Sequence, residues 1–266
     1  KTMASHMREK GEHFARTEGR DFALATQVEM NLPTVLVKYG WDGRMVVSDT
    51  YKTDEIFDGK KFIYDHSDRF RKLTDAQKAN SLEGHTFNQD TSGKFTRMPQ
   101  LEAYANLVWK NRKSIRTVCE TGFNGGHSTV LWASIIPNVE IIAFDMCIGT
   151  RCDVGKSFFN KLFPDASLTI VRGDSTKSVP DYAKSHSEKC DFISVDGGHF
   201  NDVPRLDIEN MVKLARGSAI IVIDDVDKDS KLEYLKTVGI AWFNAVNNNL
   251  VTSEKCEECY AKDAER

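Results

Sequence analysis

Long apolar runs are missing from this sequence: no stretch approaches the roughly 20 residues that a membrane span requires. No apolar core of a secretory signal follows the N-terminus either, so no membrane partner is expected. A basic surplus is also lacking. Lys and Arg number 36 against 39 Asp and Glu, a formal net charge of -3, and that balance gives no phosphate-tracking surface and no nucleic-acid partner. Cysteine is sparse and badly spaced for zinc. Of Cys119, Cys147, Cys152, Cys190, Cys256 and Cys259, only the last two form a C-x-x-C. A tetrahedral site needs four ligands, and no second pair stands at finger-like spacing. Cys119 and Cys190 lie in apolar runs, where a thiol behaves as a small hydrophobe. The expectation is a reduced, cytoplasmic chain with free thiols.

What is present fits a folded chain. The 266 residues suit one large domain, or a core with an added arm, and 40% hydrophobic with 28% charged residues is ordinary for a globular protein. Residues 1–7 (KTMASHM) read as a cloning remnant. Residues 8–97 form an irregular N-terminal region, with turn residues such as Trp41-Asp42-Gly43 and a polar run at 88–94; it is expected to be a helical arm or cap. At 98–111 the pattern becomes clear. Pro99 suits a first helical turn, and Leu101, Tyr104, Leu107 and Val108 share one face. A core domain over 98–255 and a tail at 256–266 complete the division.

Within the core, short apolar runs alternate with helical stretches. The runs at 115–120, 140–145, 168–172, 190–196 and 218–224 read as strands, with helices beginning near Gly126, Arg151, Ser175 and Phe200. The strand runs are continuously apolar, as in strands covered on both sides. This predicts an α/β fold: a Rossmann-like, doubly wound, mostly parallel sheet. Ligands of such sheets sit at the carboxyl ends of the strands. Glu120, Asp145, Asp174, Asp196, Asp224 and Asp225 all fall there. One such Asp is ordinary turn or cap chemistry; five strand ends supplying acids together suggest a site.

The loop after the first strand reads Glu120-Thr121-Gly122-Phe123-Asn124-Gly125-Gly126-His127-Ser128. A dinucleotide fingerprint would require glycine at 122, 124 and 127, and Asn124 and His127 stand instead. A pyrophosphate is therefore disfavoured, and Glu120 would repel one. Both objections reverse for S-adenosylmethionine, which has no phosphate and carries a cationic sulfonium. Gly122 still permits the tight turn. Asp145 then suits the ribose hydroxyls, and Gly173-Asp174-Ser175 suits the adenine edge.

The run ETGFNGGHST, followed by FDM, RGDS, VDGGH and IDDV, resembles the class I S-adenosylmethionine-dependent methyltransferases. Within them it is most similar to the group of macrolide-sugar O-methyltransferases and, more distantly, catechol O-methyltransferases. The resemblance covers about residues 98–226. It implies O-methylation of a small hydroxylated molecule, and a cofactor site drawing on Glu120, Gly122, Asn124, His127, Ser128, Asp145, Asp174, Ser175 and Asp196. Metal-dependent members of that group hold Mg²⁺ through an Asp after the fourth strand and an acidic or amide pair after the fifth, which Asp196, Asp224 and Asp225 match. Three carboxylates at adjacent strand ends also suit a hard cation on their own chemistry. His199 stands where the catechol-type enzymes place a lysine, and so is the candidate base beside Asp196; its ordinary pKa suits proton abstraction near neutrality.

Bland readings stand beside these. Asp224 and Asp225 could cap a helix at 229–238 and pair with Lys228 or Lys231, and His199 could bond at the start of a helix at 200–215. His127 could simply support the loop. A nucleic-acid or protein methyltransferase on the same fold, or a non-catalytic cofactor-binding protein, are the other functional readings; against an adenine-N6 enzyme, Asp196-Gly197-Gly198-His199 replaces a Pro-Pro-aromatic motif. A lid is expected from the N-terminal region or from 240–251. Trp41, Tyr51 and Trp242 are candidates to line an acceptor pocket. Amphipathic N-terminal segments leave a homodimer open.

Overall fold

The computed structural model describes residues 21–27, 34–39, 57–78, 80, 87, 89–95, 97–226 and 228–254, the first two stretches as strands only. Five parallel strands carry the core: β3 (Thr117–Thr121), β4 (Glu140–Asp145), β5 (Ser167–Arg172), β6 (Cys190–Val195) and β7 (Ala215–Val226). Three more, β1 (Asp21–Gln27), β2 (Thr34–Tyr39) and β8 (Val251–Glu254), complete an eight-stranded sheet in the order β5-β4-β3-β6-β7-β1-β2-β8. The antiparallel hairpin of β1 and β2 docks on β7, and β8 runs parallel to β2. The N-terminal region thus adds strands as well as helices.

The helices are α1 (Gly59–Asp65), α2 (Ser67–Ala76), α3 (Met98–Asn111), α4 (His127–Ile135), α5 (Arg151–Leu162), α6 (Ser175–Ala183), α7 (Val203–Val212) and α8 (Glu233–Asn247). Helix α3 has the bounds its periodicity predicts, with Pro99 in the first turn, where its missing N–H costs nothing. The expected strands appear within a few residues of their predicted bounds. Helix α8 begins at Glu233, four residues later than expected, because Leu232 is the residue that turns into it. No described helix is long and apolar enough to cross a membrane.

Successive strand residues feed two different cores. Val118, Ile141, Phe192, Ile220 and Val222 pack on one face with Phe70, Leu73, Leu101 and Trp132. Their neighbours Cys119, Ile142, Ile193, Ile221 and Ile223 pack on the other with Met211, Val238 and Trp242. This alternation is the physical reason the strand runs are continuously apolar: side chains two apart share a face, and both faces are covered. Each fully buried aliphatic or aromatic side chain contributes roughly 1.5–3 kcal/mol.

Two expectations are corrected here. Residues 240–251 are not a lid. Ala241, Trp242 and Ala245 are buried on α8, so Trp242 is core rather than pocket lining. The free-thiol reading also fails for four cysteines, since Cys119 is disulfide-bonded to Cys190 and Cys147 to Cys152. Cys147 and Cys152 are five residues apart, whereas only the fold brings together Cys119 and Cys190, 71 residues apart. Trp41, Tyr51, Cys256 and Cys259 lie outside the described residues.

Strand register explains where the site is. Thr121 is level with Phe144 on β4 and with Val195 on β6, and Val195 is level with Ile223 on β7. Asp145 is level with Arg172 on β5. Hence Gly122, Asp145, Gly173, Asp196 and Asp224 stand along one edge of the parallel strands.

Candidate active site

A cavity of ≈ 420 Å³ opens over that edge. Gly122, Asn124, Asp145, Met146, Ile148, Arg151, Gly173 and Ser175 line one half; Arg97, Asp196, His199, Asp224, Asp225 and Tyr234 line the other. The floor is set by close backbone approach. Gly122 has φ +87, and a Cβ there would stand 1.8 Å from the carbonyl oxygen of Asp196. Only glycine allows β3 and β6 to release their chains so near each other.

In the first half, Asp145 is the organising group. Its Oδ2 accepts from the backbone N–H of Asn124 at 2.8 Å, and its Oδ1 from that of Cys147 at 2.5 Å. The carboxylate therefore fixes the glycine-rich loop and the β4–α5 loop together. Asn124 and Cys147 both adopt positive φ to make this possible. The Arg151 guanidinium adds a bond to Asn124 Oδ1 at 3.3 Å. The Cys147–Cys152 disulfide closes the β4–α5 loop. Met146 and Ile148, at 62% and 64% exposure, present apolar surface on the cavity side, which suits a flat base.

Several residues expected at this ligand do other work. Glu120 is buried and does not line the cavity. Its carboxylate accepts from Ser128 Oγ at 2.9 Å, from Thr129 Oγ1, and from Trp132 Nε1 at 3.1 Å, all on α4. Burial pushes this carboxyl up, and the three donors oppose the shift. Glu120 and Ser128 thus secure α4 to β3, and neither lines the cavity. His127 accepts or donates at Nε2 with Thr74 Oγ1 at 2.9 Å, and burial lowers its pKa to about 4. It is a neutral support for the loop. Asp174 caps α6, its Oδ1 accepting from Thr176 N at 3.0 Å, while Gly173 and Ser175 line the cavity. A short polar side chain after a strand satisfies the open helix turn before it reaches a ligand.

The second half is acidic. His199 Nε2 stands 3.6 Å from Asp196 Oδ1 and 3.7 Å from Asp225 Oδ2, with no hydrogen bond of its own. One ligand atom from each of these three residues lies within 4.8 Å of the others. Burial opposes charge on the imidazole, but Asp196 and Asp225, with Asp224 behind, outweigh it and raise its pKa to about 9. Asp225 holds φ +56, a left-handed conformation that costs a non-glycine residue about 1 kcal/mol or more. Asp224 lies deeper. Its Oδ1 accepts from Asp225 N and its Oδ2 from Gln100 Nε2, both at 2.8 Å. Burial, then Asp196 and Asp225, push its carboxyl well above the usual range. Neither Asp224 nor Asp225 caps α8, whose N-cap is Leu232, and α7 begins at Val203, beyond His199. The bland cap readings of these residues do not hold.

Beneath the loop from Asp196 to His199 lies Asp207 of α7, fully buried. Neither of its oxygens is hydrogen-bonded, although the hydroxyls of Ser175 and Thr121 face it, and burial raises its pKa to about 6. Asp207, Arg97, Gln100 and Tyr234 carried no sequence signal, because each reaches the site from a helix or loop whose local pattern is unremarkable.

Residues 119–226 match the family model described as a methyltransferase domain. No curated protein matches the chain in sequence. In fold it is similar to the O-methyltransferase from Bacillus cereus solved in complex with SAH, with TM-score 0.53 and 16% identity over 69% of this chain and 82% of that one. It is also similar to the O-methyltransferase TomG from Streptomyces achromogenes, involved in tomaymycin synthesis and solved with SAM, at TM-score 0.51 and 16% identity over 70% and 86% of the two chains.

Proposed function

We propose that this chain, an S-adenosylmethionine-dependent methyltransferase of the class I fold, methylates a hydroxyl oxygen of a small molecule with the help of a divalent cation. The observation that carries the reading is the convergence of Asp196, His199 and Asp225 across the cavity from Asp145. S-adenosylmethionine supplies an electrophilic methyl group, transferred by in-line displacement at carbon. Asp145, Asn124, Gly122 and Ser175 bind and orient it: Asp145 takes ribose hydroxyls, while Met146 and Ile148 face the base.

The acidic half fits a hard cation. The carboxylates of Asp196 and Asp225 each offer an oxygen within 4.8 Å of the other, and oxygen ligands suit Mg²⁺. Asp196 and Asp225 would hold it, with Asp224 adding charge from behind, and the ion would lower the pKa of an acceptor hydroxyl. His199 in its neutral form takes the hydroxyl proton. Burial disfavours its charged form, but the neighbouring carboxylates raise its pKa to about 9; a cation held by Asp196 and Asp225 would offset their charge and favour the neutral base. Alignment of the acceptor by these side chains contributes several kcal/mol.

The test is Mg²⁺ titration of the protein loaded with S-adenosylhomocysteine, followed by methyl transfer from labelled donor to catechols, sugars and other polyols. Mg²⁺ binding that is weakened in Asp196→Asn and Asp225→Asn supports the cation. For His199→Ala, kcat should fall about 10²–10⁴-fold while S-adenosylhomocysteine still binds. Absence of Mg²⁺ binding, or methylation indifferent to chelator, would remove the metal from the mechanism.

A further inference from the structure

We infer that Gln77, at the end of α2 in the N-terminal region, is a positioning residue for cofactor binding that locks the two cofactor loops to each other. Its side chain is 1% exposed. Nε2 donates to the carbonyl of Gly125 at 3.1 Å and to the carbonyl of Arg151 at 2.8 Å, residues 48 and 74 positions away. A primary amide has two N–H bonds, and both are spent here, one on each loop. Oε1 is held by Asn80 Nδ2 at 2.8 Å, and Asn80 Oδ1 accepts in turn from Thr150 Oγ1 at 3.1 Å.

The two carbonyls belong to the loops that line the cofactor half of the cavity. Gly125 follows Asn124, whose amide rests on Asp145; Arg151 opens α5 and bonds Asn124 Oδ1. Gly155 of α5 lies close against Gly125 as well, since a Cβ on Gly155 would come within 2.6 Å of the Gly125 carbonyl oxygen. A carbonyl so enclosed needs an internal donor. One turn earlier on α2, Thr74 meets His127 at the start of α4. Thr74, Gln77 and Asn80 therefore form one polar edge along both loops. Because Asp145 can present its oxygens to a ribose only while the two loops keep their spacing, Gln77 acts through them without touching the ligand.

The inference rests on the cavity holding S-adenosylmethionine. Its test is calorimetric titration of the full chain with S-adenosylhomocysteine, below the unfolding transition, for wild type, Gln77→Met, Asn80→Ala and Asn106→Ala. Methionine keeps the length of the side chain and removes both donors. Asn106 accepts from Gly59 N at 3.1 Å and joins α1 to α3 away from the loops, so its variant reports destabilisation alone. Gln77→Met is expected to weaken S-adenosylhomocysteine about tenfold or more, in the range seen when groups supporting a ligating side chain are removed. Its KM for S-adenosylmethionine should rise more than its kcat falls. Asn106→Ala should lower Tm and leave affinity unchanged. If Gln77→Met binds within twofold of wild type, the inference is overturned. Should that variant not fold, Asn80→Ala decides: a several-fold loss supports the inference and unchanged affinity overturns it. Wild-type protein that binds no S-adenosylhomocysteine refutes the cofactor reading itself, and this inference with it.

Discussion

Gln100, in the first turn of α3, donates from Nε2 to Oδ2 of Asp224 at 2.8 Å, across 124 residues of sequence. The helix preceding β3 thus supports the acid that lies behind the second half of the site. Replacing Gln100 with Leu leaves that carboxyl one hydrogen bond, from the Asp225 amide. Loss of a hydrogen bond at this carboxyl costs about 1–3 kcal/mol. Urea denaturation of Gln100→Leu should show that loss, and Mg²⁺ affinity should fall with it; unchanged stability would mean the bond supports nothing.

Gly122 and Gly217 make a matched pair. A Cβ at Gly122 would stand 1.8 Å from backbone, at φ +87, whereas one at Gly217 meets nothing within 4 Å. Gly122→Ala is expected to cost about 2 kcal/mol or more from the backbone conformation and clash together. Gly217→Ala should stay within about 0.5 kcal/mol of wild type. Thermal unfolding compares them directly. Equal Tm values would contradict the close approach of β3 and β6.

Asp207 gives a pH signature. Its folded pKa is raised from 3.8 to about 6, so the native state binds the proton more tightly than the unfolded chain. Stability contributed this way is present below pH 4 and lost as pH rises toward 6, and above that the cost is constant. The shift corresponds to about 3 kcal/mol as an order of magnitude. Asp207→Asn should therefore be more stable than wild type at pH 8 and equal to it near pH 3.5. A difference independent of pH would show that Asp207 is not a buried titrating acid.

The parallel sheet and its helices were legible in the sequence, because five apolar runs and the helical spacing of 98–111 are local patterns. The acidic strand ends were legible for the same reason. Their roles were not. Asp145 and Asp196 face the cavity, whereas Asp174 turns back to cap α6 and Glu120 is held by Ser128, Thr129 and Trp132. Each of these four is an acid at or just past a strand end; only the direction of the side chain separates ligand-facing groups from scaffold.

The sequence by itself determined that one sheet edge would collect Gly122, Asp145, Asp196, Asp224 and Asp225, since strand period and strand length depend on neighbours a few residues away. Tertiary structure alone decided that Gln77 would join Gly125 to Arg151, that Gln100 would reach Asp224, and that His199 would stand between Asp196 and Asp225. These contacts depend on register between strands and on helices packed from distant parts of the chain. A hydrogen bond has a reach of about 3 Å, and no local pattern records which carbonyl or carboxylate will come within it.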